Sequence, residues 1–85
     1  MRIWVKLILD GKIIQQFVYE KDERLVYSKF FEYMTEICQK MDLPTPVILK
    51  PHIFNFAKFN RVKFTAKDFV EPFSYDKLEL ENIIS

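Results

Sequence analysis

The sequence predicts an α+β domain: a small mixed or antiparallel sheet with a helix packed on one face. Three observations carry that expectation. An Asp-Gly pair at 10–11 stands between two alternating apolar runs. Residues 22–41 repeat apolar positions in steps of three and four, and Asp76 to Asn82 alternates again. With 85 residues, a single Gly and 49% apolar content, the chain reads as one ordered domain over residues 1–85. A chain this short buries only about 60% of its unfolded surface. Nine Phe, four Tyr and one Trp supply the bulk that such a thin core needs.

Each element follows from its own pattern. Asp-Gly is the strongest short hairpin signal, because a type I′ turn needs positive φ at both central positions. A regular two-residue loop sets Leu9 opposite Lys12, Leu7 opposite Ile14, Val5 opposite Gln16 and Ile3 opposite Val18. The core face is then Ile3, Val5, Leu7, Leu9, Ile14 and Val18. The other face carries Arg2, Trp4, Lys6, Phe17 and Tyr19, and a slip of one residue would exchange the two.

Residues 22–41 read as one long amphipathic helix with Asp22 at its N-cap. Its expected buried stripe is Leu25 or Val26, Phe30, Met34, Ile37, Cys38 and Met41. Pro44 and Pro46 end it. Val47-Ile48-Leu49 reads as a short strand between two prolines. Residues 52–60 have helical spacing and read as a short helix or turn. Extended or irregular chain follows to Tyr75, with Val62 and Phe64 on one side. Residues 76–82 then form a terminal strand whose acids suit a solvent face or a protected edge.

Charge is unevenly spread although the net is only +1. Residues 1–49 balance seven bases against seven acids, 50–67 carry five cations and no acid, and 68–85 carry five acids and one Lys. Two readings of the basic segment KPHIFNFAKFNRVKFTAKDF stay open. Either the acids that follow fold against it, or Lys58, Arg61, Lys63 and Lys67 form a basic edge for a phosphate-bearing partner. Its five Phe are expected mostly in the core, since monomers rarely expose large apolar patches.

Specific chemistries find little support. One His and one Cys, fourteen residues apart, do not make a transition-metal site. Cys38 falls on the buried stripe, and His52 reads as a surface or helix-start residue without an acid partner. The one Gly belongs to the hairpin turn, so no phosphate-binding loop is available. No catalytic residue, metal or cofactor is expected, and the chain reads as non-enzymatic. The lone cysteine, the absence of an 18-residue apolar span and the interruption of Ile3–Leu9 by Lys6 place it in the cytoplasm, off the membrane.

Trp4, Phe17 and Tyr19 beside Arg2 and Lys6 are either covered by the 50–75 segment, whose Phe then pack on Trp4, or form a protein interface, of which a homodimer is one form. Binding of RNA or single-stranded DNA through a basic-aromatic surface is the alternative.

The chain also resembles a family of small uncharacterised proteins of anaerobic Gram-positive bacteria. The resemblance rests on the opening MRIWVK, on EICQKMDLPTPVIL at 36–49 and on FTAKDFVEPFSYDKLELE at 64–81. That family usually has Trp where Ile48 stands, and Asp-Asn-Phe where Lys67-Asp68-Phe69 stands. The resemblance implies a bacterial cytosolic setting and assigns no activity, cofactor or site residue.

Overall fold

A computed structural model describes residues 1–84. Strands β1 (Arg2–Leu9) and β2 (Lys12–Glu20) form the expected hairpin. Asp10 and Gly11 adopt φ of 53° and 75°, the left-handed pair that a type I′ turn requires. A 3₁₀ turn, Tyr27–Lys29, leads into α1 (Phe30–Lys40), and α2 (Lys50–Phe59) follows. The chain then runs through β3 (Arg61–Phe64), a second 3₁₀ turn at Ala66–Asp68, and β4 (Lys77–Asn82). The four strands make one antiparallel sheet in the order β2-β1-β4-β3. No helix among the described residues is long and apolar enough to cross a membrane.

Both helices lie on one face of the sheet. Ile3, Val5, Leu7, Val62, Phe64, Leu78 and Leu80 project there and meet Phe30, Tyr33, Met34, Ile37, Cys38 and Phe56 in one core. The rings of Phe30 and Phe56, one from each helix, stand 5.4 Å apart.

The hairpin register departs from the regular expectation. Leu9 pairs with Lys12 and Ile8 with Ile13, but a bulge follows, so that Leu7 pairs with Gln15, Val5 with Phe17 and Ile3 with Tyr19. Ile14 is the inserted residue, and beyond it every side chain of β2 changes face. Polar satisfaction explains the slip. In the regular register Gln16 would enter the core opposite Val5, where an unpaired amide costs about 1–3 kcal/mol. In the observed one Gln16 lies outside and accepts a 2.8 Å hydrogen bond from the Trp4 indole. Phe17 and Tyr19 turn inward in its place, with Tyr19 tilted against Tyr33 at 6.1 Å.

The first helix is shorter than its pattern. Helical chain begins at Tyr27, so Asp22 is not its cap, and residues 21–26 are irregular. The Met1 amine takes hydrogen bonds to the carbonyls of Lys21 and Glu23, at 2.7 and 2.8 Å, which removes two acceptors that a helix there would use. The Val26 N–H donates to the Tyr33 hydroxyl at 3.1 Å instead of entering a ladder. From Phe30 onward the expected stripe holds, with Tyr33 added to it. Asp42, at φ 57°, turns the chain out of α1 ahead of the two prolines.

Val47–Leu49 forms no strand. Ile48 alone packs toward the core, while Val47 and Leu49 are exposed, so one half-buried side chain does not hold the run in the sheet. The third strand is Arg61–Phe64, started by Asn60 in a left-handed conformation at φ 59°. The acidic terminal strand β4 is not an edge: it runs between β1 and β3, with Leu78 and Leu80 fully buried.

Candidate functional site

The bulge divides the aromatic surface expected on the hairpin. Phe17 and Tyr19 face the helices, where Lys40 lies 5.2 Å over the Phe17 ring. Arg2, Trp4 and Lys6 face the opposite, uncovered side of the sheet. The Tyr19 hydroxyl donates to the Glu36 carboxylate, which also takes Lys21 at 3.2 Å. Burial and then that carboxylate push the Tyr19 phenol up from its ordinary value, and the two hydrogen bonds hold Glu36 below its own. Tyr19 thus anchors the hairpin to α1 and is not presented to a partner.

Lys6 is not a free cation either. It is only 6% exposed, the one buried charged residue among the described residues. Its ammonium lies 2.8 Å from Glu79, 3.5 Å from Glu81 and 4.0 Å above the Trp4 ring. Glu79 also meets Lys77 at 3.5 Å, and Glu81 meets Arg61 at 2.9 Å. The uncovered face is therefore half ionic, over β4 and β3, and half apolar, where Ile8, Ile13, Trp4 and Val18 pair across β1 and β2.

The sheet has two contrasting edges. β3 is four residues long and carries Arg61 and Lys63, the kind of charges that discourage strand pairing. β2 is nine residues long and uncharged between Lys12 and Glu20. Along it Ile13, Ile14 and Val18 are 44%, 49% and 38% exposed. The bulge sits near the turn and leaves Gln15–Glu20 as regular edge.

The basic segment folds back on itself beside β3. A cleft of about 780 Å³ opens between α2, the β3 edge and the Ala66–Asp68 turn. Arg61, Lys63 and Lys67, three of the four expected basic-edge residues, line it together with Asn55 and Phe59. Lys58, the fourth, does not line it, but its ammonium stands 5.3 Å over the Phe59 ring. Phe59 is 58% exposed and Phe54 66%, whereas Phe56, Phe64 and Phe69 are core. The acids that follow in sequence neutralise little of this edge. Glu81 pairs with Arg61, and Glu79 lies opposite Lys63 but is held by Lys6 and Lys77. Asp76 accepts from the Gly11 amide at the far end of the sheet. Among the described residues Lys58, Lys63 and Lys67 make no ion pair within 4 Å.

His52 has the acid partner that its sequence neighbourhood did not reveal. Its Nε2 lies 3.6 Å from Asp68, and its Nδ1 accepts the Leu49 N–H at 2.9 Å. The other Asp68 oxygen accepts the Thr65 N–H at 2.8 Å. Nδ1 thus caps the start of α2, and Nε2 faces the 3₁₀ turn. Cys38 is fully buried, and desolvation pushes its thiol up to about 11. A protonated, enclosed thiol is a poor nucleophile. Among the described residues no group of three or more His, Cys, Asp or Glu stands together as a metal-ligand set.

The cleft was only partly readable in sequence. Arg61 and Lys63 alternate with buried Val62 and Phe64, and Lys77 and Glu79 alternate with buried Leu78 and Leu80, which marks both pairs for one sheet face. Asn55 and Phe59, one helical turn apart, join them only through the turn at Asn60. No protein-family model matches the chain, and no curated protein or solved structure matches it either.

Proposed function

We propose that this domain acts without catalysis, through protein contact, and that β2 pairs with β2 of a second copy. The observation that carries the proposal is the unpaired outer edge of a nine-residue strand with no charge between its ends. Such an edge is a ready template for another strand. A second copy offers the same open edge, and antiparallel pairing about a two-fold axis at Gln16 joins the two uncharged runs. Ile14 and Val18, both exposed, then face one another across the axis. The contact is self-complementary, as a two-fold interface requires. Enclosure of Cys38 supports the non-enzymatic part of the reading. The lone Cys38, with no disulfide partner in the chain, supports a cytoplasmic setting.

Light scattering on the purified protein tests the pairing, with a dimer expected at about 100 µM, a concentration at which a contact of about −5.5 kcal/mol is half formed. An Ile14→Lys/Val18→Lys double variant sets like charges opposite one another and should be monomeric. Ile14→Lys/Val18→Glu restores opposite charges and should dimerise again. A monomeric wild-type protein, or a double-Lys variant that stays dimeric, refutes the β2 contact.

A further inference from the structure

We infer that the cleft beside β3 binds a nucleotide unit, with its phosphate between Lys63 and Lys67 and its base against Phe59. The site is independent of the β2 contact, since β2 and β3 are opposite edges of the sheet.

Size, charge and surface chemistry point the same way. A volume of about 780 Å³ falls within the ~300–1,000 Å³ typical of small-ligand sites. Four cations line the cleft against two carboxylates, and both carboxylates already have partners. Asp68 is held by Thr65 and faces His52; Glu79 is held by Lys6 and Lys77. Arg61 is shared with Glu81, which leaves Lys63 and Lys67 as the cations available to a phosphate. They are borne by β3, paired with β4, and by the Ala66–Asp68 turn, whose backbone is hydrogen-bonded to Val47 and Thr65.

The aromatic wall makes the ligand more than an anion. Phe59 keeps 58% of its surface in water at the end of α2, although Phe56 one turn earlier is fully buried. Its ring lines the cleft, with the Lys58 ammonium 5.3 Å over it. A flat base can stack on such a ring whatever its sequence, and cations beside it hold the sugar-phosphate chain. The Asn55 amide, one helical turn before Phe59, offers both a donor and an acceptor to the edge of that base. The same chemistry is presented by a free mononucleotide and by one residue of a single strand.

Fluorescence anisotropy with a labelled octauridylate at low salt, and competition with uridine monophosphate and with inorganic phosphate, test the inference. The octamer is expected to bind, and log K should fall with log salt by about 0.7 for each phosphate engaged. Lys63→Gln/Lys67→Gln removes the hold on that one phosphate and should lower the slope by about 0.7. Phe59→Ala should weaken binding by about tenfold or more. Lys29→Gln, at the start of α1 and outside both contacts, should leave both unchanged. Monophosphate competing as well as the octamer identifies a free nucleotide as the ligand; competition only by the octamer identifies a strand. Amide chemical-shift mapping on the wild-type protein gives a second reading that needs no variant, with shifts expected at Asn55, Phe59, Lys63 and Lys67. Binding unchanged in both site variants overturns the inference. So do displacement by inorganic phosphate as effective as by the nucleotide, shifts confined to β2, and no binding of any probe at low salt.

Discussion

Removing the Lys6 ammonium while keeping its stem, as in Lys6→Met, isolates the ionic half of the uncovered sheet face. The aliphatic stem still covers Trp4, so packing is largely retained. What is lost is the 2.8 Å pair to Glu79, the 3.5 Å contact to Glu81 and the cation over the Trp4 ring. Deleting one partner of a buried pair costs about 3–5 kcal/mol, because the other charge is left desolvated. Here the two carboxylates keep 19% and 29% exposure, and Lys77 and Arg61 remain beside them. The expected loss is therefore smaller, about 1–3 kcal/mol.

Urea unfolding followed by emission of the single Trp measures it, with the midpoint falling at constant slope. The pH dependence gives a second, sharper check. The hydrogen bond from Lys6 and its charge hold the Glu79 carboxyl below its usual range, against the opposing effect of burial. A carboxyl depressed in the folded state contributes stability that is complete above its unfolded value, about 4.3, and is lost as pH falls through the folded value. The gap between wild type and Lys6→Met should accordingly narrow as pH falls below about 4.3. The cation–π contact with Trp4 does not titrate there, so a remainder persists. Equal stability of the two proteins at neutral pH would refute the reasoning, and so would a gap that stays constant into acid.

Three further outcomes follow from the same packing. Cys38 should resist a disulfide reagent at about pH 8 in the native protein and react at once in denaturant, since its thiol titrates near 11 and lies fully buried. Phe56→Ala should cost about 3–5 kcal/mol in urea melts, because Phe56 is fully buried against Phe30 and Tyr27. Deletion of Ile14 removes the bulged residue and lets β2 pair regularly, with Phe17 and Tyr19 still facing the helices. It should preserve the fold within about 1 kcal/mol, with NMR contacts between Tyr19 and Tyr33 intact.

What was legible in the sequence was local. The Asp10-Gly11 turn, the stripe from Phe30 to Cys38, the helix near residues 52–60 and the alternation of β4 each follow from a short-range pattern. What was not legible depended on distant partners. The bulge at Ile14 is favoured by where Gln16 and Tyr19 find hydrogen bonds, on Trp4 and Glu36. The late start of the first helix is set by Met1 and Tyr33 claiming backbone groups of residues 21–26. Long-range pairing also moved β4 from the edge to the middle and made Arg61–Phe64, not Val47–Leu49, the remaining strand. The candidate aromatic face on the hairpin was divided by a one-residue slip, while three of the four basic-edge cations line one cleft because they lie within seven residues, on a strand and the turn that follows it.

The two edges of the sheet explain how one small domain can carry both proposed contacts. Strand pairing and nucleotide binding make opposite demands on an edge. Pairing needs an uncharged strand whose backbone is open, and β2 meets that condition from Gln15 to Tyr19. Nucleotide binding needs cations that would repel a second copy of the same edge, and β3 carries Arg61 and Lys63 on four residues. β1 and β4 separate the two edges, so each keeps its own chemistry. A dimer formed through β2 would continue the sheet across the two-fold axis and leave a cleft at each outer end. Two clefts on one assembly would engage two segments of a single strand together, which raises avidity without any new contact. The β2 and cleft variants then separate the contributions: Ile14→Lys/Val18→Lys should reduce affinity for a long oligonucleotide while leaving that for a mononucleotide unchanged. Equal loss for both ligands would show that the cleft depends on the dimer, contrary to the separation of the two edges in the fold.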